Sequence, residues 1–248
     1  MKYLLTLLFF AHISIYGQSV KLREIRLKPN SKYFNTTEKT IIYPIIVTTN
    51  KRADSLINSQ IKDDVFEIDE EKRNINEILA EHINDYDLIN LSYEITYNND
   101  GLLSFSIFSE GCGAYCSSKE TYFNFDIKTG QKITISDLLL TEKLNSFRNI
   151  VFADKVKALT QYKIEESNLA NPNIDSTVVN WALEQVDENC INSVKIDDFS
   201  LSSLNIEIND ICEFPHAIRS QEPSYELKYS YLFISHFLRP KFRNILMK

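Results

Sequence analysis

The chain has 248 residues, 44% of them hydrophobic and 12% aromatic, enough for one large domain or two small ones sharing a core and too much for a disordered chain. Its formal net charge is −7, from 34 acids against 27 bases. No basic stripe is visible, which argues against a nucleic-acid binder and leaves an acidic surface suited to basic partners.

The first residues, MKYLLTLLFFAHISIYGQSV, place one lysine before an apolar run from Tyr3 to Ile15, then small and polar residues around Gly17. This is the pattern of a secretory signal peptide over residues 1–17, cleaved before Gln18. The run falls short of the roughly 20 apolar residues that cross a bilayer, so no membrane span is expected once the leader is removed. The expected location is secreted or periplasmic.

In SVKLREIRLKP, Val20 and Leu22 alternate, then Ile25 and Leu27 with a shift between, as in one bulged strand or two short ones. TIIYPIIVT (40–48) is a β-branched strand in which Pro44 marks an edge or a bulge. From Arg52 the period changes: Ala53, Ile57, Ile61 and Val65 define an amphipathic helix with Asn50 as its cap, and Ile75, Ile78, Leu79 and Ile83 a second. INLSYEITY alternates through Ile89, Leu91, Tyr93, Ile95 and Tyr97, turns at Asn-Asn-Asp-Gly, and returns as LLSFSIFS, a strong hairpin signal. TYFNFDI alternates again, turns at Lys-Thr-Gly, and QKITI pairs back. Residues 136–162 read as helical, with Leu144, Phe147, Val151, Ala158 and Tyr162 in register. A loop, NLANPNIDS (168–176), leads to a helix burying Val179, Ala182, Leu183 and Val186. A strand through Leu204, Ile206 and Ile208, another at SYELKYS, and a short helix YLFISHFL stopping at Pro240 complete the chain. The fold expected is α+β, an antiparallel or mixed sheet with helices packed mainly on one face. It would comprise two closely associated modules, 18–105 and 106–248, that share a sheet.

Export makes disulfides the default for Cys112, Cys116, Cys190 and Cys212. Four cysteines allow three pairings and sequence does not choose among them; the expected pairing is Cys112–Cys116 with Cys190–Cys212, since each brackets a short turn-capable or strand-containing segment. Cys-x-x-x-Cys in a hairpin lacks the helix N-terminus of a thioredoxin-type centre, and no histidine beside it completes a zinc site. Residues 112–116 are therefore expected to be a stapled loop. It would present Tyr115, Glu110 and Glu120, with Tyr122 on the strand behind, to a partner.

The histidines form no metal-binding pattern, and acid pairs such as Asp197–Asp198, Asp63–Asp64 and Glu70–Glu71 sit where caps and turns are expected. There is no nucleophile elbow and no phosphate-binding loop. No metal, no cofactor and no catalytic residue is expected.

TYFNFDIKTGQKITISDLL (121–139) combines an aromatic strand ending in Asn124, Phe125 and Asp126, a turn with Thr129 and Gly130, a second strand, and a helix opening at Ser136 and Asp137. It resembles a bacterial envelope domain family of unknown function. That domain also occurs in the extracellular part of a lysozyme-sensing anti-sigma factor and beside the catalytic domain of a peptidoglycan deacetylase. YPII (43–46), the two helices after it and the YEITYNNDGLLSFSI hairpin look like the smaller module that usually precedes it, so the resemblance covers nearly all of residues 38–240. It departs at GCGAYCSS, where many relatives carry a Gly-Gly-Ala-His-like loop, and it leaves no room for a deacetylase domain. The resemblance implies a non-catalytic binding module for a lysozyme-like protein or for peptidoglycan. The alternative is a cell-wall hydrolase using a carboxylate pair. Gly130 and Asp126 are expected to form the turn, and Ser136 or Asp137 to cap the helix.

Overall fold

A computed structural model of the protein describes residues 19–30, 39–67, 73–168 and 176–248. The expected leader and most of the 168–176 loop lie outside the described residues.

Six strands form one sheet in sequence order: β1 (Lys21–Leu27), β2 (Ile41–Val47), β3 (Leu88–Asn99), β4 (Leu102–Cys112), β5 (Cys116–Asp126) and β6 (Gln131–Lys132). All neighbours are antiparallel except β2 and β3, which run parallel around Ile41 and Leu91. Parallel strands need a crossover, and it is supplied by α1 (Lys51–Phe66) and α2 (Ile75–Asn84). Asn50 caps α1, its side chain accepting from Arg52 N at 3.0 Å, and Ala53, Ile57 and Ile61 are buried as their spacing demands. β2 is interior, not an edge; Pro44 is tolerated because pairing with β3 is confined to the Ile41 end. Farther along, the Asn58 side chain takes the place of a strand by bonding both Ile46 N and Ile46 O at 2.8 Å.

One face of the sheet packs on α1 and α2 through Leu91, Leu103, Phe105, Ile107, Phe123 and Phe125. The other face meets a three-stranded antiparallel sheet of β7 (Phe199–Leu201), β8 (Asn205–Ile208) and β9 (Leu227–Ser230). Asn124 Nδ2 donates to Phe199 O at 2.7 Å, and Leu201 N donates to Ser104 Oγ at 2.9 Å, so buried polar groups fix how the two sheets meet. A second core joins β7–β9 to Phe147, Val151, Phe237, Leu238 and Phe242. The expected module boundary at 105/106 falls inside β4, and the large sheet runs unbroken across it.

Four further expectations about the elements change. A bulge between Ile95 and Tyr97 shifts the β3 alternation, leaving Ile95 exposed and packing Tyr97 against the second core, away from the first core where Tyr93 lies. The long helix begins later: α3 covers only Ile135–Leu138, Leu139 pairs with Leu238, and α4 runs Leu144–Asn168 after a 3₁₀ turn. Leu204 belongs to the β7–β8 turn and is exposed. Pro240 ends nothing; it opens α7 (Pro240–Leu246), where its fixed φ suits the first turn and its missing N–H is no loss. Between β9 and α7 lies only one helical turn, α6 (Tyr231–Ile234). A third cluster lies between α4, α5 (Ser176–Gln185) and the segment after β8. There Lys155 and Asp210 form a buried pair at 2.6 Å, and Lys155 also donates to Ser193 O at 2.8 Å.

Candidate binding face

The β4–β5 hairpin is paired residue for residue from Leu102–Asp126 to Cys112–Cys116, and a disulfide closes its tip with Cα atoms 4.0 Å apart. The other pair is Cys190–Cys212, which ties the π-helical turn after α5 to the segment after β8. Glu110, Cys112 and Cys116 lie close enough together to share a metal ion, but both sulfurs are spent in the disulfide and neither is available as a thiolate ligand.

Since side chains alternate along a strand, Phe108, Glu110, Ser118, Glu120 and Tyr122 share the face that carries Ser104 and Asn124. β7 covers that face at the Ser104–Asn124 end, through the two bonds above. Toward the tip the same face is half-buried or open. Tyr122 donates to Glu120 Oε2 at 2.9 Å. Its phenol is pushed well above the usual tyrosine range, first by burial, then by the Glu120 hydrogen bond and by the charges of Glu120, Glu207 and Asp198. Tyr122 is therefore a fixed donor set among three carboxylates. Glu110 is held by Lys39, while Glu207 and Glu226 share Lys228 at 3.6 and 3.1 Å. Acids outnumber bases around this face.

Tyr115 stands at the tip with 60% of its surface exposed, its ring 4.6 Å from that of His216. His216 follows Cys212, so the two disulfide-held segments meet there. The structure thus gathers Glu110, Glu120 and Tyr122 on one face and sets Tyr115 at its end. It adds Lys39, Asp198, Glu207 and His216, which no local pattern links to the hairpin; the second cysteine pair was the one hint of His216.

The motif residues lie at the opposite end of the hairpin. Asn124 and Phe125 are buried. Asp126 accepts from Lys128 N at 3.0 Å and from Lys241 Nζ at 2.7 Å. Gly130 has φ +77°, and a Cβ there would lie 2.8 Å from Ala53 Cα and O, so this turn abuts α1. Thr129 Oγ1 accepts from Gln131 N at 3.3 Å. The N-cap of α3 is Thr134, not Ser136 or Asp137; Asp137 is its capping-box partner three residues on.

Of these, Asp126 and Asp137 border a cleft of about 670 Å³ with Gln131, Lys132, Arg239 and Lys241. Burial raises the proton affinity of Asp126, but the Lys241 hydrogen bond and charge and the two turn N–H groups outweigh it and its pKa is lowered. Asp137 is lowered too, by the backbone N–H and then the hydroxyl of Thr134. Both are ionised near neutrality, which suits turn and cap roles and not proton donation to a leaving group.

No protein-family model matches the sequence, and no curated protein sequence is significantly similar to it. Solved structures are similar in fold. A DUF3298 family member from Bacteroides fragilis aligns over 94% of this chain and 98% of its own with a TM-score of 0.60 and 14% identity. A DUF3298 family protein from Pseudomonas aeruginosa aligns over 90% and 95%, with a TM-score of 0.53 and 10% identity. Identity this low speaks to architecture alone: the chain is an α+β protein with the fold of these bacterial DUF3298 structures.

Proposed function

We propose that the chain is an exported, non-catalytic binding module whose acidic sheet face, beside the stapled loop, takes a basic protein of the lysozyme-like kind. The observation that carries the reading is the half-buried Tyr122, fixed by Glu120 with Glu207 and Asp198 near it, where the face opens toward the hairpin tip. An aromatic ring ringed by carboxylates offers an apolar contact and a counter-charge together, which is what a lysine- or arginine-rich surface needs. The disulfide holds the hairpin tip in one conformation, lowering the entropy lost on binding. Two disulfides fit an oxidising compartment, and no described helix is long and apolar enough to cross a membrane.

The reading is tested by calorimetric titration of residues 18–248 with a basic c-type lysozyme across a salt series. Saturable heat persisting above about 0.3 M salt is expected, since exposed charges alone are screened within a few ångströms there. Heat that vanishes at moderate salt, or none at any salt, would sink it.

A further inference from the structure

The two most exposed large apolar side chains among the described residues are Leu232 and Leu204, at 79% and 74%. They lie in different elements, Leu232 on α6 and Leu204 in the β7–β8 turn, yet the structure fastens those elements together. Tyr231 N donates to Leu204 O at 3.1 Å, and the Tyr231 hydroxyl donates to Ser202 O at 2.9 Å. Each turn is also fixed within itself. Ser202 Oγ accepts from Leu204 N and Asn205 N at 3.2 and 3.0 Å, and Ser230 caps α6 by accepting from Phe233 N at 3.2 Å. Because Tyr231 and Ile234 are buried, the single turn of α6 sends Leu232 outward together with Phe233, which is half exposed and rests against the Tyr229 ring. One exposed leucine is ordinary. Two hydrogen-bonded turns that hold three large apolar side chains in water, side by side, form a patch of the kind that meets a partner.

The patch is a small projection and not a broad face. A stable dimer covers roughly 800 Å² and about 20–30 residues on each partner, far more than two turns offer to a second copy of the chain. A bilayer needs no matching surface, because apolar side chains at a turn tip sink between headgroups and the binding strengthens with the area inserted. Charge agrees. In a chain of net charge −7, neither turn holds an acid, and Leu227 to Lys248 contains three lysines, two arginines and no acid. The carboxylates that side-chain contacts bring to β8 and β9 are already engaged: Glu207 and Glu226 share Lys228, and Asp154 accepts from the Tyr229 hydroxyl at 3.0 Å.

We propose that the wedge of Leu204, Leu232 and Phe233 docks the protein on a phospholipid bilayer, its side chains entering the boundary between headgroups and acyl chains in a contact that anionic headgroups favour. The proposal uses no residue of the acidic face and stands without the lysozyme reading.

The test is flotation of residues 18–248 with vesicles of phosphatidylglycerol and phosphatidylethanolamine. Partition onto the vesicles is expected, and it should survive about 0.3 M salt, at which charge attraction is largely screened. Leu204→Ser/Leu232→Ser should lower that partition by about tenfold or more. Its thermal midpoint should stay near the parent's, since both side chains already stand in water. Phe233→Trp made together with Trp181→Phe gives a second readout: its emission should shift to the blue on vesicles and be quenched by brominated acyl chains. No flotation of the parent overturns the proposal, as does flotation that vanishes in salt or is unchanged in the serine variant. Self-association that the serine variant abolishes, without flotation, would assign the patch to a second copy and overturn it too.

Discussion

Replacing Gly130 with alanine should be the costliest of the glycine substitutions in this protein, for two separable reasons. Its φ of +77° lies in the left-handed region, which costs an L-residue about 1–2 kcal/mol. The new Cβ would also stand 2.8 Å from Ala53 Cα and O, and these are backbone atoms of α1 that cannot swing aside. Overpacking of this kind costs a further 1–3 kcal/mol, roughly. The sum is about 2–5 kcal/mol. Two internal comparisons separate the contributions. Gly101 has φ +87°, but its Cβ would meet only the flexible end of Lys128 at 3.3 Å, so Gly101→Ala should cost about 1–2 kcal/mol. Gly113 has no positive φ and nothing within 4 Å of its Cβ, so Gly113→Ala should fall within about 0.5 kcal/mol of the parent. Urea unfolding of the three variants gives the order directly. Gly130→Ala equal in stability to Gly113→Ala would refute the claim that this turn is clamped against α1.

Removing the disulfides should cost unequal amounts: about 2 kcal/mol for Cys112→Ser/Cys116→Ser and about 3 kcal/mol for Cys190→Ser/Cys212→Ser, from the loop lengths closed. The sequence separations are 4 and 22, and a larger loss for the short loop in denaturant melts would contradict this ordering. Asp137 has a lowered pKa, so its cap stabilises the fold fully above the ordinary carboxylate value near 4 and fades as pH falls through the lowered one. Asp137→Asn should therefore lose about 0.5–2 kcal/mol at pH 7, and a parent–variant difference in melting temperature that did not shrink below pH 4 would speak against the capping box.

The alternation of LLSFSIFS and TYFNFDI on either side of the cysteine pair made the β4–β5 hairpin legible, while the shared face of Glu110, Glu120 and Tyr122 follows from its register. Helix spacing made α1 and α2 legible, down to Asn50 as cap. Tyr97 was misplaced because one extra residue in β3 reverses every later side chain, and an alternating pattern reads the same with or without the bulge. α7 was missed because a proline after an apolar run reads as a stop, though it serves equally well as a first helical residue. The rest of the candidate face depends on long-range placement. Glu207 arrives on β8, Asp198 just before β7, and His216 on a segment fixed by a disulfide to residue 190. No local periodicity encodes those meetings; the docking of the small sheet through Asn124 and Ser104 creates them.

The central claim, that the face around Tyr122 is the protein-binding surface, is tested most directly by charge reversal with a matched control. Lysozyme affinity should be measured for Glu120→Lys, which breaks the Tyr122 hydrogen bond and inverts a charge within the face. The control is Glu142→Lys, which makes the same change in net charge in the 3₁₀ turn before α4. The account predicts a loss of about tenfold or more for Glu120→Lys, as for other charge-assisted contacts, and little change for Glu142→Lys. Equal losses would reduce the attraction to net charge alone, and no loss in either would place the partner's site elsewhere on the molecule.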